Sequence, residues 1–259
     1  SGVFNIAQGQ LLLVGAFICF TFSVELGLPF WLALVLTLVA SLIMGLVVER
    51  LFLRPMIGKS LLAMIIMTLG LASLLRGATL SIWGARTRAY PSYLPTEPLR
   101  AGDVVISYEY IFGFLVAIFL IIALIMFFRT KLGLAMRVVS EDQEAAQSMG
   151  IRVGMIFGVA WGISAMTAAL GGVVMGTIGA VEPSLGEVGL LAFPVIVLGG
   201  LESIPGAIIG GLSIGLIEIF AAKFVPLAGF KFVVPYIVLI VVLIIRPHGL
   251  FGLKRIERV

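Results

Sequence analysis

The sequence predicts an all-α, polytopic integral membrane protein with about seven or eight transmembrane or partly inserted helices. Three observations carry that prediction. Of 259 residues, 61% are hydrophobic and only 12% are charged, whereas a soluble domain keeps roughly 25% charged residues. The mean hydropathy is +1.22. The charges gather between apolar runs that approach the ~20 residues needed to cross a bilayer. A chain of this composition cannot dress a water-facing surface, so a lipid bilayer is its expected surrounding. The formal charge of +4 comes mostly from basic residues at the ends of apolar runs, so nucleic acid is not implied. Cys19 is the single cysteine and lies in an apolar run, which excludes an intrachain disulfide and a thiolate metal cluster.

The elements follow in order. Residues 8–24 and 31–48 are two apolar runs joined by a short GLPF linker, which suits antiparallel neighbours. The loop ERLFLRPMIGKS carries Glu49, Arg50, Arg54 and Lys59; its net positive charge places it in the cytoplasm. Residues 60–77 span outward. Residues 78–110 form a mixed polar extracytoplasmic loop in which Pro91, Pro95 and Pro98 forbid a long helix, with a short strand expected within 103–110. Residues 111–128 span inward and deliver a charged interval, 129–154, to the cytoplasm. There Met136, Val139, Gln143, Ala146 and Gly150 recur at helical spacing, so the interval is expected to be one helix that Gly150 ends. Residues 155–178 span outward. Residues 190–200 are too short to span and are expected to be a broken or partly inserted helix with LESIPG. Residues 206–222 return outward, 234–245 come in, and the basic tail with Arg246, Lys254, Arg255 and Arg258 ends inside. The chain opens on SGVFNIAQGQ without a Met or a basic leader, so an earlier helix is expected before residue 1.

Small residues at four-residue spacing mark expected helix contacts: Gly154, Gly158 and Gly162, then Gly172 and Gly176, Gly206 and Gly210, and Gly211 and Gly215. Polar residues at membrane depth are costly and draw notice. Asn5, Gln8 and Gln10, with Gly9 among them, either line a cavity at a broken helix or cap a helix at the interface. Thr68, Ser73, Ser164 and Thr167 are mid-helix hydroxyls, each able to bond its own i−4 carbonyl. Glu182 and Glu187 are expected to face water. Glu202 either caps the helix after Pro205 or lines an inner gate, and Glu218 lies near the outer end of an apolar run.

Catalytic residues are not in view. LRPMIGKS ends like a phosphate-binding loop, but Leu53 stands where glycine is required and no strand precedes it. His248 has no partner residues for a catalytic or metal role. Two function classes remain: a solute-transporting subunit driven by a separate motor, and a self-contained channel or secondary carrier. A carrier normally places ionisable residues at the midplane. Here the charge sits at loop level, and the charged interval 129–154 needs a soluble reader.

Glu144-Ala145-Ala146-Gln147-Ser148-Met149-Gly150 is E-A-A-x-x-x-G, which resembles the coupling loop of ABC importer permeases. RVVSEDQEAAQSMGIRV is similar to the version found in the branched-chain amino-acid importer family. FNIAQG resembles that family's N-F-A-H-G segment, with Ile6 and Gln8 as departures. VLGGLESIPGAIIGG and RPHGLFG resemble its late glycine-rich segment and C-terminal box. The four motifs cover nearly the whole chain in the family's order, and the first points to the smaller of the two permeases in such importers. The resemblance implies one transmembrane permease domain over residues 1–259, without catalytic residues. It also implies a second homologous permease, two ABC ATPase subunits that bind the ATP and Mg, and an extracytoplasmic solute-binding protein. The location implied is a bacterial or archaeal inner membrane, with the C-terminus cytoplasmic. Carried onto this sequence, Glu141, Asp142, Glu144, Ala145, Ala146, Gly150 and Ile151 would couple to an ATPase, the alanines leaving room for its groove. Asn5, Gln8, Gln10, Thr68 and Glu202 are the expected path residues. Solutes of such systems include branched-chain and other amino acids, urea or amides, and aromatic acids.

Overall fold

In the computed structural model, residues 4–200, 203–225, 229–246 and 249–251 are described. Ten α-helices and one two-stranded hairpin are found among them. Six helical stretches are long and apolar enough to cross a membrane: Gln8–Glu25, Phe30–Met56, Leu61–Trp83, Tyr108–Phe128, Val153–Ile178 and Ile204–Phe224. Two shorter apolar helical segments, Pro183–Gly199 and Phe232–Ile245, accompany them. Residues Ser1–Gly186 form one unit and Glu187–Val259 a second.

In the first unit, α1 (Gln8–Phe20) continues as a π-helical turn over Thr21–Glu25. It packs alongside α7 (Val153–Ile178). The approach is backbone to backbone. A side chain on Gly15 would run into Ala169, and one on Gly172 into Leu12. Close approach of this kind replaces the hydrophobic drive that helices lose in lipid. The helix α2 (Phe30–Val48) lies antiparallel on another side of α7. There a Cβ on Gly45 would sit 2.5 Å from the Trp161 carbonyl oxygen and 2.9 Å from both Gly162 Cα and Ala165 Cβ. The expected series Gly154, Gly158 and Gly162 runs along this same seam, facing Arg54, Leu46 with Glu49, and Leu42 in turn.

The helix α3 (Leu61–Trp83) starts under a Ser60 cap whose hydroxyl accepts the Ala63 N–H. It runs six residues past the expected end at 77. The hydroxyls of Thr79 and Ser81 donate to the carbonyls of Leu75 and Gly77, so these polar residues satisfy themselves on the helix. Gly84, at φ +78°, ends it. Strands β1 (Leu99–Ala101) and β2 (Val104–Ile106) make an antiparallel hairpin, the second lying where a strand was expected. The helix α4 (Tyr108–Phe128) buries none of its residues within the chain, which suits an apolar surrounding.

The interval 129–154 is not one helix. It divides into α5 (Lys131–Glu141) and α6 (Gln143–Ser148) at Asp142, whose backbone is extended. Periodic spacing carries on through the break, which is why the sequence reads as continuous. The Asp142 side chain competes locally: its Oδ1 accepts the N–H groups of Glu144 and Ala145, both at 2.9 Å.

The second unit holds α8 (Val188–Gly199), α9 (Ile204–Phe224) and α10 (Phe230–Ile245). With 12 residues, α8 rises only ~18 Å, short of the ~30 Å hydrocarbon core. It turns at Gly200 (φ +101°) and pairs antiparallel with α9, whose Ser203 hydroxyl accepts the Gly206 N–H. Gly206 and Gly210 face the backbones of Gly199 and Val195 so closely that neither admits a Cβ. Glu202, His248 and the basic residues after 251 lie outside the described residues.

Candidate functional site

Two polar places stand out in the first unit, one beside the middle of α7 and one at its start. The first is built around the start of α1. Gln8 Nε2 donates to the Ser164 carbonyl at 3.1 Å, and the Ser164 hydroxyl donates to Gln8 Oε1 at 2.8 Å. Asn5 Nδ2 donates to the same oxygen at 2.8 Å. Ser164 is eleven residues into α7, about 16 Å along a 26-residue helix. The first turn of α1 therefore lies near mid-depth rather than at a membrane face.

Other elements close round it. The buried Thr68 of α3 donates its hydroxyl to the Phe4 carbonyl at 3.1 Å as well as to its own i−3 carbonyl. Gln10 is buried against Gly186, where a Cβ would stand 2.6 Å from Nε2. The turn containing Gly186 thus reaches back from the far end of α7 to the second residue beyond Gln8. Its Leu185 packs with Leu13, Ala16 and Phe17 on the way. Asn5 Oδ1 and Gln10 Oε1 are buried without a hydrogen-bond partner. Asn5 and Gln8 are therefore brought together with Ser164, and Thr68 binds the backbone beside Asn5, whereas Gln10 lies on another face of α1, against Gly186. Ser164 was expected to bond its own helix; its hydroxyl instead bridges to α1, 156 residues away. Ser73 does bond the i−4 carbonyl, and Thr167 bonds the i−3 one.

The far end of the span is sealed by aromatic side chains. Trp83 Nε1 donates to Thr21 Oγ1 at 2.7 Å and stacks on Phe17. The Tyr90 hydroxyl donates to the Ala16 carbonyl at 2.7 Å. Burial pushes the Tyr90 phenol up, so it remains protonated and keeps donating. Arg88 and Val181 form a backbone bridge that ties the two loops of this end together. Thr87 reaches Glu182 across the same gap.

The second polar place is α5–α6. Thr130 caps α5, and Gly133 sits where a Cβ would meet the Phe128 backbone at 2.5 Å, so α5 folds back tightly under α4. α6 ends by a Schellman arrangement: Ile151 N–H donates to the Ala146 carbonyl and Gly150 N–H to that of Gln147, with Gly150 at φ +81°. One face of α6 is anchored. Ala146 is fully buried with Val139, Val153, Ile156 and Phe157, with Ile151 and Ile57 packed against them. The other face is open, exposing Glu141, Asp142, Glu144, Ala145 and Met149. The two alanines are thus unequal, Ala145 facing out and Ala146 in. An open cavity of about 370 Å³ lies beside Gly150, Ile151 and Arg152.

Sequence reasoning missed one feature here. Glu49 counts, by charge alone, as one residue of a short cytoplasmic loop. Its side chain is 2% exposed and is gripped by Arg54, Nε at 3.2 Å from Oε1 and Nη2 at 3.0 Å from Oε2. The same Nη2 donates to the Gly154 carbonyl at 3.3 Å. The loops at 49–59 and 129–154, assigned to one side by charge, do meet at one end of the unit.

The comparisons with known proteins point one way. The family described as branched-chain amino acid transport system / permease component matches residues 1–243. The high-affinity branched-chain amino acid transport system permease protein BraD of Pseudomonas aeruginosa is 32% identical, over all of this chain and 89% of its own. LivH of Escherichia coli strain K12, of the same description, is 29% identical over all of this chain and 88% of its own. A probable branched-chain amino acid transport permease protein LivH of Methanocaldococcus jannaschii is 29% identical over 98% of this chain and 85% of its own. No solved structure matches. The match over residues 1–243, together with these full-length relatives, establishes that the chain belongs to the family of branched-chain amino acid transport permease components.

Proposed function

We propose that this permease forms half of the path of an ATP-driven importer for a small aliphatic amino acid, working with a second permease, two ATPases and a solute-binding protein. The observation that carries the reading is the α5–α6 segment. It is capped by Asp142 and stopped by Gly150; it is held to α7 through Ala146 and open on its acidic face. A rigid, short helix with one anchored side and one free polar side suits a docking surface for a soluble motor. ATP and Mg would be held by the ATPases. On this reading the α5–α6 end and the C-terminus are cytoplasmic, and the binding protein delivers solute to the end bearing the β1–β2 hairpin.

The mid-depth cluster supports the choice of solute. Asn5, Gln8, Thr68 and Ser164 are neutral amides and hydroxyls, suited to a zwitterion without net charge. The relatives' names specify branched-chain amino acids. The test is uptake of labelled leucine into proteoliposomes carrying the permease pair, the ATPases and the binding protein. Uptake that needs ATP and all four kinds of subunit is expected. Leucine flux through this chain alone, without ATP, would replace the reading with a carrier.

A further inference from the structure

We propose that Arg54 is a positioning residue that locks α2 to the first turn of α7, so that motion imposed on α6 displaces both helices as one body. The proposal rests on α6 being the docking surface. Glu49 and Arg54 are five residues apart. On an α-helix such residues point about 140° away from each other. The π-helical turn Glu49–Leu53 and the 3₁₀ turn that follows bring Arg54 back over Glu49. The result is a forked pair with Glu49 almost wholly buried, a costly arrangement in an apolar protein.

The pair does more than neutralise charge. Arg54 Nη2 also holds the carbonyl of Gly154, the second residue of α7 and four residues beyond Gly150. The carboxylate lies against α7 one turn further on: a Cβ on Gly158 would stand 3.7 Å from Glu49 Oε2, in ordinary contact. Ile57, three residues after Arg54, packs against the cluster that holds Ala146 and Val153. The turn that follows α2 therefore reaches both the cluster that anchors α6 and the start of α7. The guanidinium fork supplies the directional link between them.

The experiment uses the reconstituted complex and reads leucine taken up per ATP hydrolysed, alongside basal hydrolysis, retention of the ATPases and thermal stability. Arg54→Gln breaks the link but strands a buried carboxylate. The double variant Glu49→Gln/Arg54→Met removes the link without a stranded charge. Arg54→Lys keeps the charge but loses the fork. With Arg54→Gln and the double variant, uptake per ATP is expected to fall about tenfold, while ATPase retention and basal hydrolysis stay within about twofold. Arg54→Lys is expected to lie between these and the wild type. Unchanged uptake per ATP in the double variant overturns the proposal. So does a double variant in which stability, ATPase retention and uptake fall in step, because that pattern marks a merely structural pair. Glu144→Lys separates the underlying reading: if it keeps ATPases and uptake, docking at α6 fails whatever Arg54 does.

Discussion

Replacing Gly45 with alanine tests the α2–α7 seam most directly. A Cβ at that position falls 2.5 Å from the Trp161 carbonyl oxygen, against 3.4 Å for the start of ordinary contact, so α2 must retreat by about 0.9 Å. Two of its three neighbours, Trp161 O and Gly162 Cα, are backbone and cannot rotate away. A gap of about 0.5–1 Å forfeits a quarter to a half of each dispersion contact along the seam. Overpacked cores lose about 1–3 kcal/mol, and the rigid neighbours place this site at the upper end, about 2–3 kcal/mol. That corresponds to a melting point lower by about 4–12 °C. Trp161 is itself buried in the seam, so its fluorescence in a detergent melt reports the loss locally. Gly154→Ala is the control. Its Cβ would stand 3.6 Å from the Arg54 guanidinium, an ordinary contact, and alanine favours the helix. A Gly45→Ala protein that melts with the wild type, or a Gly154→Ala protein that falls equally far, would refute the reasoning.

Further expectations concern the polar sites and the end of the chain. Asp142→Ala removes the acceptor for two N–H groups and costs about 1 kcal/mol locally, so amide exchange across residues 143–148 quickens while α7 is unchanged. Gln8→Leu removes both bonds to Ser164, and leucine uptake should fall at least about tenfold with the ATPases still bound; full uptake would remove the amide cluster from the path. Gly249→Ala meets both a positive φ of +73° and the Val197 and Gly200 backbones, so limited proteolysis should cut near residue 249 faster than in the wild type.

The spans were legible because each is an unbroken apolar run, and lipid demands that a run of that length satisfy its own backbone. Their ends were less so. Thr79 and Ser81 look like loop residues until they bond back to their own helix, and only then does α3 reach Trp83. Gly150 was readable as a helix stop because a positive φ leaves few alternatives to glycine. Asp142 was not readable as a break, since apolar spacing runs through it unchanged; the available signal was an Asp immediately ahead of QEAA. The amide cluster was half legible. Asn5, Gln8 and Gln10 announce themselves as polar residues beside an apolar run, but their partners Ser164 and Gly186 are far along the chain. Glu49 was hidden for the same reason. A charge tally counts it as solvated, and its burial comes from the π-helical turn that folds Arg54 over it and from α7, which lies more than a hundred residues further on.

The tail of the chain also meets an element made much earlier. Leu250 N–H donates to the Leu198 carbonyl at 2.9 Å and Phe251 N–H to the Gly199 carbonyl at 3.1 Å, so these two residues close the open end of α8. Those two carbonyls belong to the last turn of a short helix and have no partner within it. During synthesis they wait about fifty residues for their donors, because α9 and α10 are made in between. The last turn of α8 is thus completed by backbone donors about fifty residues further along the chain, so α8 gains its full set of partners only after α9 and α10 have been made.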